Sequence, residues 1–123
     1  MQAKTIVEKY PEIWGKLRYG VFEFGSGWYP LIMEMSDEIH TLMEKDASVR
    51  EAFENADYII AKEKFGQLRI QGLVSSNELD KIIDKYERLS VHTCETCGNE
   101  GKLRCTGGWY YTSCEEHLRG KEV

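Results

Sequence analysis

Cys94-Glu95-Thr96-Cys97-Gly98 and Cys114-Glu115-Glu116-His117 are two pairs of soft and borderline metal donors, each with two residues between its members. Sixteen residues, 98–113, separate the pairs. A tetrahedral zinc ion takes four N/S ligands, commonly two from each of two tight turns. A Cys-x-x-Cys turn bends sharply enough to aim both sulfurs inward, and Gly98 eases the chain out of it. The intervening stretch reads as a β-hairpin. Residues 102–106 form one strand, Gly107-Gly108 the bend, and residues 109–113 the return. This is a zinc-ribbon pattern with Cys94, Cys97, Cys114 and His117 as ligands. It lacks the pair of helical histidines, three to five residues apart, that marks the other common finger.

Four protein ligands fill the tetrahedron, so a structural ion is expected rather than a catalytic one. Cys105 is the cysteine left over. It falls mid-strand, away from both turns, and reads as a buried or half-buried small apolar side chain. An all-cysteine site with Cys105 in place of His117 is the competing set. Disulfides are not expected without a secretory segment.

Upstream of the ribbon, the apolar pattern alternates between helix and strand periods. Ile6, Val7, Tyr10, Ile13, Trp14 and Leu17 share a helical face that Pro11 interrupts, which predicts a break near Tyr10 and a second helix over 11–18. Residues 19–24 alternate like a strand, with Phe22 and Phe24 on one face. Residues 28–45 carry a helical stripe of Leu31, Ile32, Met35, Ile39, Leu42 and Met43, with Ser26 as the expected cap. Asp46 or Ser48 caps a short helix to residue 56, and Ser48 with Glu51 has the capping-box form. Residues 58–71 read as a hairpin bent at Phe65-Gly66. Ser75 with Glu78 opens a last helix over 77–90, striped by Leu79, Ile82, Ile83, Tyr86 and Leu89.

The expected architecture is α+β: a helical body with a small antiparallel β-sheet and a fused C-terminal zinc ribbon. Residues 1–91 form the body. Residues 92–123 form the ribbon, packed on it as one unit without a linker. The tetrapeptides at 15–18, 66–69 and 101–104 look alike but share no period and are not a repeat.

The chain of 123 residues has a formal charge of −5, with 16 basic and 21 acidic groups. The sign is uniform, −4 over residues 1–91 and −1 over residues 92–123. Three thiolates and one Zn²⁺ make the loaded protein one charge more negative. Nonspecific nucleic-acid binding, driven by Lys and Arg, is disfavoured. No apolar run approaches the ~20 residues of a membrane span. Lys4, Glu8 and Lys9 in the first ten residues argue against a signal peptide, so a cytoplasmic protein is expected.

No catalytic constellation emerges. Metal-dependent HNH-type nucleases need a histidine between their ligand pairs, and residues 98–113 hold neither histidine nor aspartate. His40 lies off the stripe of its helix and reads as a surface residue. His92 sits beside the metal turn with nothing to favour catalysis. Gly25-Ser26-Gly27 ahead of a helix has the form of an anion cradle, but lacks the longer glycine fingerprint and its lysine. A capped turn is the simpler reading. A small-ligand sponge for an immune nucleotide would need a pocket near residues 25–28.

Lys62, Lys64 and Arg69 decorate the central hairpin, and Lys102 and Arg104 the ribbon, beside Trp109, Tyr110 and Tyr111. Lys62, Lys64, Arg69, Arg104, Trp109 and Tyr111 are the candidate interaction residues. Such sets serve protein interfaces, where Trp, Tyr and Arg dominate the energetics, or stack on single-stranded nucleic acid. The plainest alternative is that Trp109 packs the ribbon onto the body and the charges are solvated.

Three motifs occur together: Tyr19-Gly20-Val21-Phe22-Glu23-Phe24-Gly25-Ser26-Gly27-Trp28-Tyr29, Lys62-Glu63-Lys64-Phe65-Gly66-Gln67-Leu68-Arg69, and the ribbon with Gly101-Lys102-Leu103-Arg104 and Gly107-Gly108-Trp109 between its ligand pairs. The chain resembles, over most of residues 11–118, a group of small uncharacterised proteins of bacteriophage and prophage genomes. Cys105 departs from that pattern, which argues again that it is no ligand. The resemblance implies a phage accessory protein acting in bacterial cytoplasm. The expected role is noncatalytic binding and modulation of a host protein, such as a defence or transcription factor.

Overall fold

Pro11 splits the first apolar stripe into two short helices, α1 (Ala3–Lys9) and α2 (Pro11–Trp14). The computed structural model describes residues 1–74 and 76–119. The order continues through α3 (Tyr29–Lys45), α4 (Ala47–Asn55), β1 (Ile60–Lys64), β2 (Gln67–Gln71), α5 (Asn77–Ser90), β3 (Lys102–Thr106) and β4 (Trp109–Ser113). The fold is α+β, with two separate two-stranded antiparallel sheets, β1-β2 and β3-β4.

Helix α3 is the centre of the body. Its buried face carries Leu31, Ile32, Met35, Ile39 and Met43. These pack with Ile6, Ile13, Trp14, Trp28, Val49, Phe53, Ile59, Leu68 and Leu79 in one core. Trp14 puts an indole N–H into that core, and Ser36 Oγ accepts it at 2.9 Å. The same hydroxyl donates to Ile32 O at 2.6 Å, so neither polar group is stranded. Helix α5 lies between α3 and β2. Glu38 ties α3 to α5 by accepting from Tyr86 and from Lys85, the latter at 2.8 Å.

Both hairpins close through two-residue turns in which both residues have positive φ. Phe65 (φ 53°) and Gly66 (φ 81°) turn the first, and Gly107 (φ 57°) and Gly108 (φ 84°) the second. Glycine suits this left-handed turn, whose twist matches that of the strands. Phe65 is the one bulky residue placed there.

Several elements differ from their expected form. Residues 19–24 do not make a strand. Tyr19 (φ 62°) and Gly20 (φ 67°) kink the chain, and Leu17 and Glu23 on either side run parallel to the β1 segment by isolated contacts. Arg18 N–H donates to Ile59 O at 2.7 Å, and Glu23 exchanges bonds with Ala61 and Glu63. Phe22 still reaches the core. The second helix stops at Trp14, because the segment from Leu17 leaves it to meet Ile59.

Caps shift as well. Ser26 makes no side-chain cap; a 3-10 turn over Ser26–Trp28 feeds α3 directly. Asp46, not Ser48, caps α4, accepting from the Ser48 amide at 3.0 Å. Ser48 lies inside that helix, so no capping box forms with Glu51. The expected Ser75 cap lies outside the described residues, and Ser76 Oγ accepts from Leu79 N–H instead. Leu89 is solvent-exposed, since α5 turns that flank away from the core.

Candidate metal centre

Cys94, Cys97, Cys114 and His117 converge, with one donor atom from each lying within 4.8 Å of all the others. The first pair sits on the turn after α5, where Gly98 (φ 83°) lets its amide donate back to Cys94 O at 2.9 Å. The second pair follows β4, and a 3-10 turn over Glu115–His117 swings the imidazole under the sulfurs. Hairpin β3-β4 closes the gap between the two turns, as its length requires. Its register pairs Lys102 with Ser113 and Thr106 with Trp109.

The geometry fits an enclosed ion. Metal–sulfur bonds of about 2.3 Å in a tetrahedron set the sulfurs roughly 3.8 Å apart. Cys97 Sγ and Cys114 Sγ are separated by 3.7 Å. His117 faces them with Nδ1, 3.8 Å from Cys94 Sγ and 3.1 Å from Cys114 Sγ. Three sulfurs and one nitrogen form a soft-to-borderline donor set with no protein oxygen in it.

The surrounding backbone favours thiolates. Burial pushes the Cys94 thiol up, but the amides of Cys114, Cys97 and Thr96 donate to its sulfur and bring it down to about 6. At Cys97 the Asn99 amide favours the thiolate, yet desolvation and the neighbouring sulfurs of Cys94 and Cys114 outweigh it and push the thiol up. Crowded thiolates repel one another. A divalent cation at their centre removes that conflict.

Cys105 takes no part. It lies on β3 outside the cluster and is exposed, neither buried nor half-buried as expected, because the tip of the hairpin projects beyond the body. Among the described residues no other metal-binding cluster of this kind is present.

The metal turn is docked on the glycine loop that precedes α3. Gly27 N–H donates to Glu95 O, and Gly25 N–H to Glu95 Oε2, each at 2.8 Å. Trp28 Nε1 donates to Thr93 O at 2.8 Å. The other Glu95 oxygen pairs with Arg119 at 3.1 Å, and the carboxylate is only 7% exposed. In Gly25-Ser26-Gly27 the Gly25 amide alone meets an anion, this chain's own Glu95 carboxylate, while the Gly27 amide meets the Glu95 backbone carbonyl. Gly27 and Trp28 lie buried under the metal turn, while Ser26 stays exposed. The chain matches no family model, no curated protein and no solved structure.

The candidate interaction residues divide into three groups. Lys62 and Arg69 are cross-strand partners on the first hairpin, with Arg69 3.8 Å from Glu87. Arg104 is a structural tie. Its side chain is 16% exposed, donating to Ser113 O at 3.1 Å and Glu115 at 3.3 Å. Lys64, Trp109 and Tyr111 come together along one groove, with Phe65, Tyr110 and Arg119.

Tyr111 itself is buried, its hydroxyl engaged with Thr106 and the Arg119 backbone. Trp109 does not pack the ribbon onto the body; it is 79% exposed. Thr112 makes that contact instead, donating to Gly66 O at 2.7 Å. Glu95 and Arg119 had no distinguishing pattern in the sequence, and Phe65 was marked only as the hairpin bend. His40 lies at the surface between Glu12 and Glu44, 3.0 Å from each. No helix among the described residues is long and apolar enough to cross a membrane.

Proposed function

We propose that this is a noncatalytic, zinc-stapled interaction protein of phage type that binds and modulates a host protein in bacterial cytoplasm. The closed Cys94–Cys97–Cys114–His117 set supports zinc, which would serve there as a cross-link between two turns. Structural sites of this class contribute on the order of 10–16 kcal/mol, coupled to folding. Metal analysis of purified protein is expected to return about one zinc equivalent. A value far below that overturns the assignment.

The observation that carries the interaction role is the pair of aromatic hairpin tips. Phe65 is 70% exposed and Trp109 79% exposed, and both border one groove. Large apolar side chains placed at rigid turns suit a protein interface, where buried aromatics dominate binding. Acidic net charge and the phage-type motifs agree with a protein target. The test is capture from bacterial lysate by the wild-type chain and by a Phe65→Ala/Trp109→Ala variant. A protein retained by the first and lost by the second is expected. Recovery of nucleic acid alone sinks the reading.

The same exposed rings, beside Lys64, are the specific observation behind a second reading, single-stranded nucleic-acid binding by stacking. It predicts an electrophoretic shift at low salt that fades steeply as salt rises.

A further inference from the structure

Each strand edge in this fold can be followed group by group. A two-residue turn makes its flanking residues a hydrogen-bonded pair, and the main chain then points alternately into and out of the hairpin. In the first hairpin the outward residues are Ala61 and Glu63 on β1 and Leu68 and Ile70 on β2. Each of the four has one main-chain group engaged. Glu23 takes Ala61 and Glu63. Ser90 Oγ takes the Leu68 amide at 2.9 Å, and Glu87 Oε2 the Ile70 amide at 2.9 Å.

The ribbon is covered less completely. On β4 the outward residues are Tyr110 and Thr112. Thr112 O accepts from Glu95 N–H at 3.1 Å, so the metal turn occupies the neighbouring strand position there. One step along the same edge, no described group pairs with the main chain of Tyr110. A groove of about 640 Å³ lies at this point. Its lining comes from both faces of the ribbon, Tyr110 on one side and Trp109 and Tyr111 on the other, so it straddles the β4 edge. Lys64 and Phe65 form the facing wall, and Arg119, held by Glu95, closes the end.

We propose that this groove is an open strand position that receives an extended acidic segment of a protein partner, paired to the main chain of Tyr110. This rests on the interaction reading above and names the chemistry of its partner. Strand addition draws affinity from main-chain bonds and specificity from alternate side chains. The charges set the sign. Glu63 is engaged by the Gly66 amide at 2.6 Å, and Arg119 by Glu95. Lys64 has no ion-pair partner among the described residues and lies 5.8 Å from the Phe65 ring centroid. An Asp or Glu of the segment fits toward Lys64. Side chains alternate along a strand, so its neighbour turns to the Trp109 side, where a large apolar residue fits. No described group pairs with the outer edge of β3 at Leu103 and Cys105 either, but the walled groove lies along β4.

The experiment is selection of a random heptapeptide display library on the full zinc-loaded chain, with Lys64→Glu and Trp109→Ala counterparts. Both sites are exposed, and far-UV circular dichroism with metal content checks that the variants fold. Selected peptides are expected to carry an acidic residue next to a large apolar one. Synthesised with a fluorescein label, they should bind about tenfold more weakly to either variant. N-methylation of alternate backbone amides should abolish binding in one of its two frames only.

Failure to enrich any peptide, or peptides indifferent to both variants and to N-methylation, overturns the proposal. So does binding of a labelled oligothymidine at the groove with every peptide silent. Lysate capture separates the two levels. A host protein held equally by wild type and both variants keeps the interaction reading and removes the groove; recovery of nucleic acid alone removes both.

Discussion

The amide of Gly27 donates to the carbonyl of Glu95 at 2.8 Å, across 68 positions of sequence. This bond joins the loop that starts the central helix to the turn that carries Cys94 and Cys97. Gly25, through the Glu95 carboxylate, and Trp28, through Thr93 O, repeat the connection on either side. The ligand turn is thus held by the body as well as by its metal. Backbone meets backbone here because the loop side has no Cβ at the contact. A Cβ on Gly27 would stand 2.2 Å from Cys94 O, and one on Gly25 2.4 Å from Glu95 O.

Gly27→Ala should therefore separate these two supports. The clash is with main chain, which cannot rotate away, so a loss of about 2 kcal/mol or more is expected in urea unfolding. The four ligands remain, so zinc stoichiometry should stay near one while release to a strong chelator quickens. Unchanged stability and unchanged release would show that the contact is incidental.

The cysteines give a sharper contrast. Cys97→Ser should lower bound zinc to a small fraction of an equivalent and loosen the C-terminal third, read as rapid amide exchange in β3 and β4. Cys105→Ser should leave both unchanged, since that thiol is exposed and outside the cluster. Metal loss in Cys105→Ser would restore the all-cysteine set that competes with His117.

Spacing carried the ribbon. Donor pairs, glycine bend and strand lengths are all local, so Cys94, Cys97, Cys114 and His117 could be read in order along the chain. Helices α3 and α5 were legible for a similar reason, since apolar period and burial coincide. Residues 19–24 failed because alternation of Phe22 and Phe24 is produced equally by a chain lying on a sheet edge. Whether it pairs is decided by Ala61 and Glu63, some forty residues on. Glu95 was illegible for a related reason. A glutamate inside a Cys-x-x-Cys turn looks like solvent-facing filler, and its burial depends on two glycines of another element. Trp109 read two ways, as an interaction residue or as packing the ribbon onto the body, because local sequence does not say that the hairpin tip extends past the core and leaves it exposed.

Strand β2 offers a test of edge protection. Leu68 is fully buried, and its amide is satisfied by Ser90 Oγ, a hydroxyl that itself donates to Glu87 O. Ser90→Ala removes one acceptor and strands a buried donor. The expected cost is about 1–3 kcal/mol. Hydrogen exchange at Leu68 should accelerate more than at Glu63, whose amide donates to Glu23 O. Equal acceleration at both would mean global destabilisation rather than loss of this bond.

Alkaline pH tests the packing of α1 against α3. The Tyr10 hydroxyl donates to Asp37, and that bond, with burial and the nearby charges of Asp37 and Glu12, pushes its pKa up from 10.0 to about 12. The protonated phenol is what the folded state prefers. Below pH 10 both folded and unfolded chains keep the proton, and the contribution of Tyr10 to stability is complete. Between about 10 and 12 the unfolded chain sheds the proton while the folded chain holds it, so stability falls as pH rises and the contribution is gone above 12. Tyr10→Phe removes the group that titrates. Its unfolding free energy should start lower than wild type at neutral pH and decline less steeply across that window. The wild-type tyrosinate absorbance should show a late-titrating step that the variant lacks. Parallel decline in the two proteins would assign the alkaline sensitivity to other groups and leave the Tyr10–Asp37 bond without an energetic role.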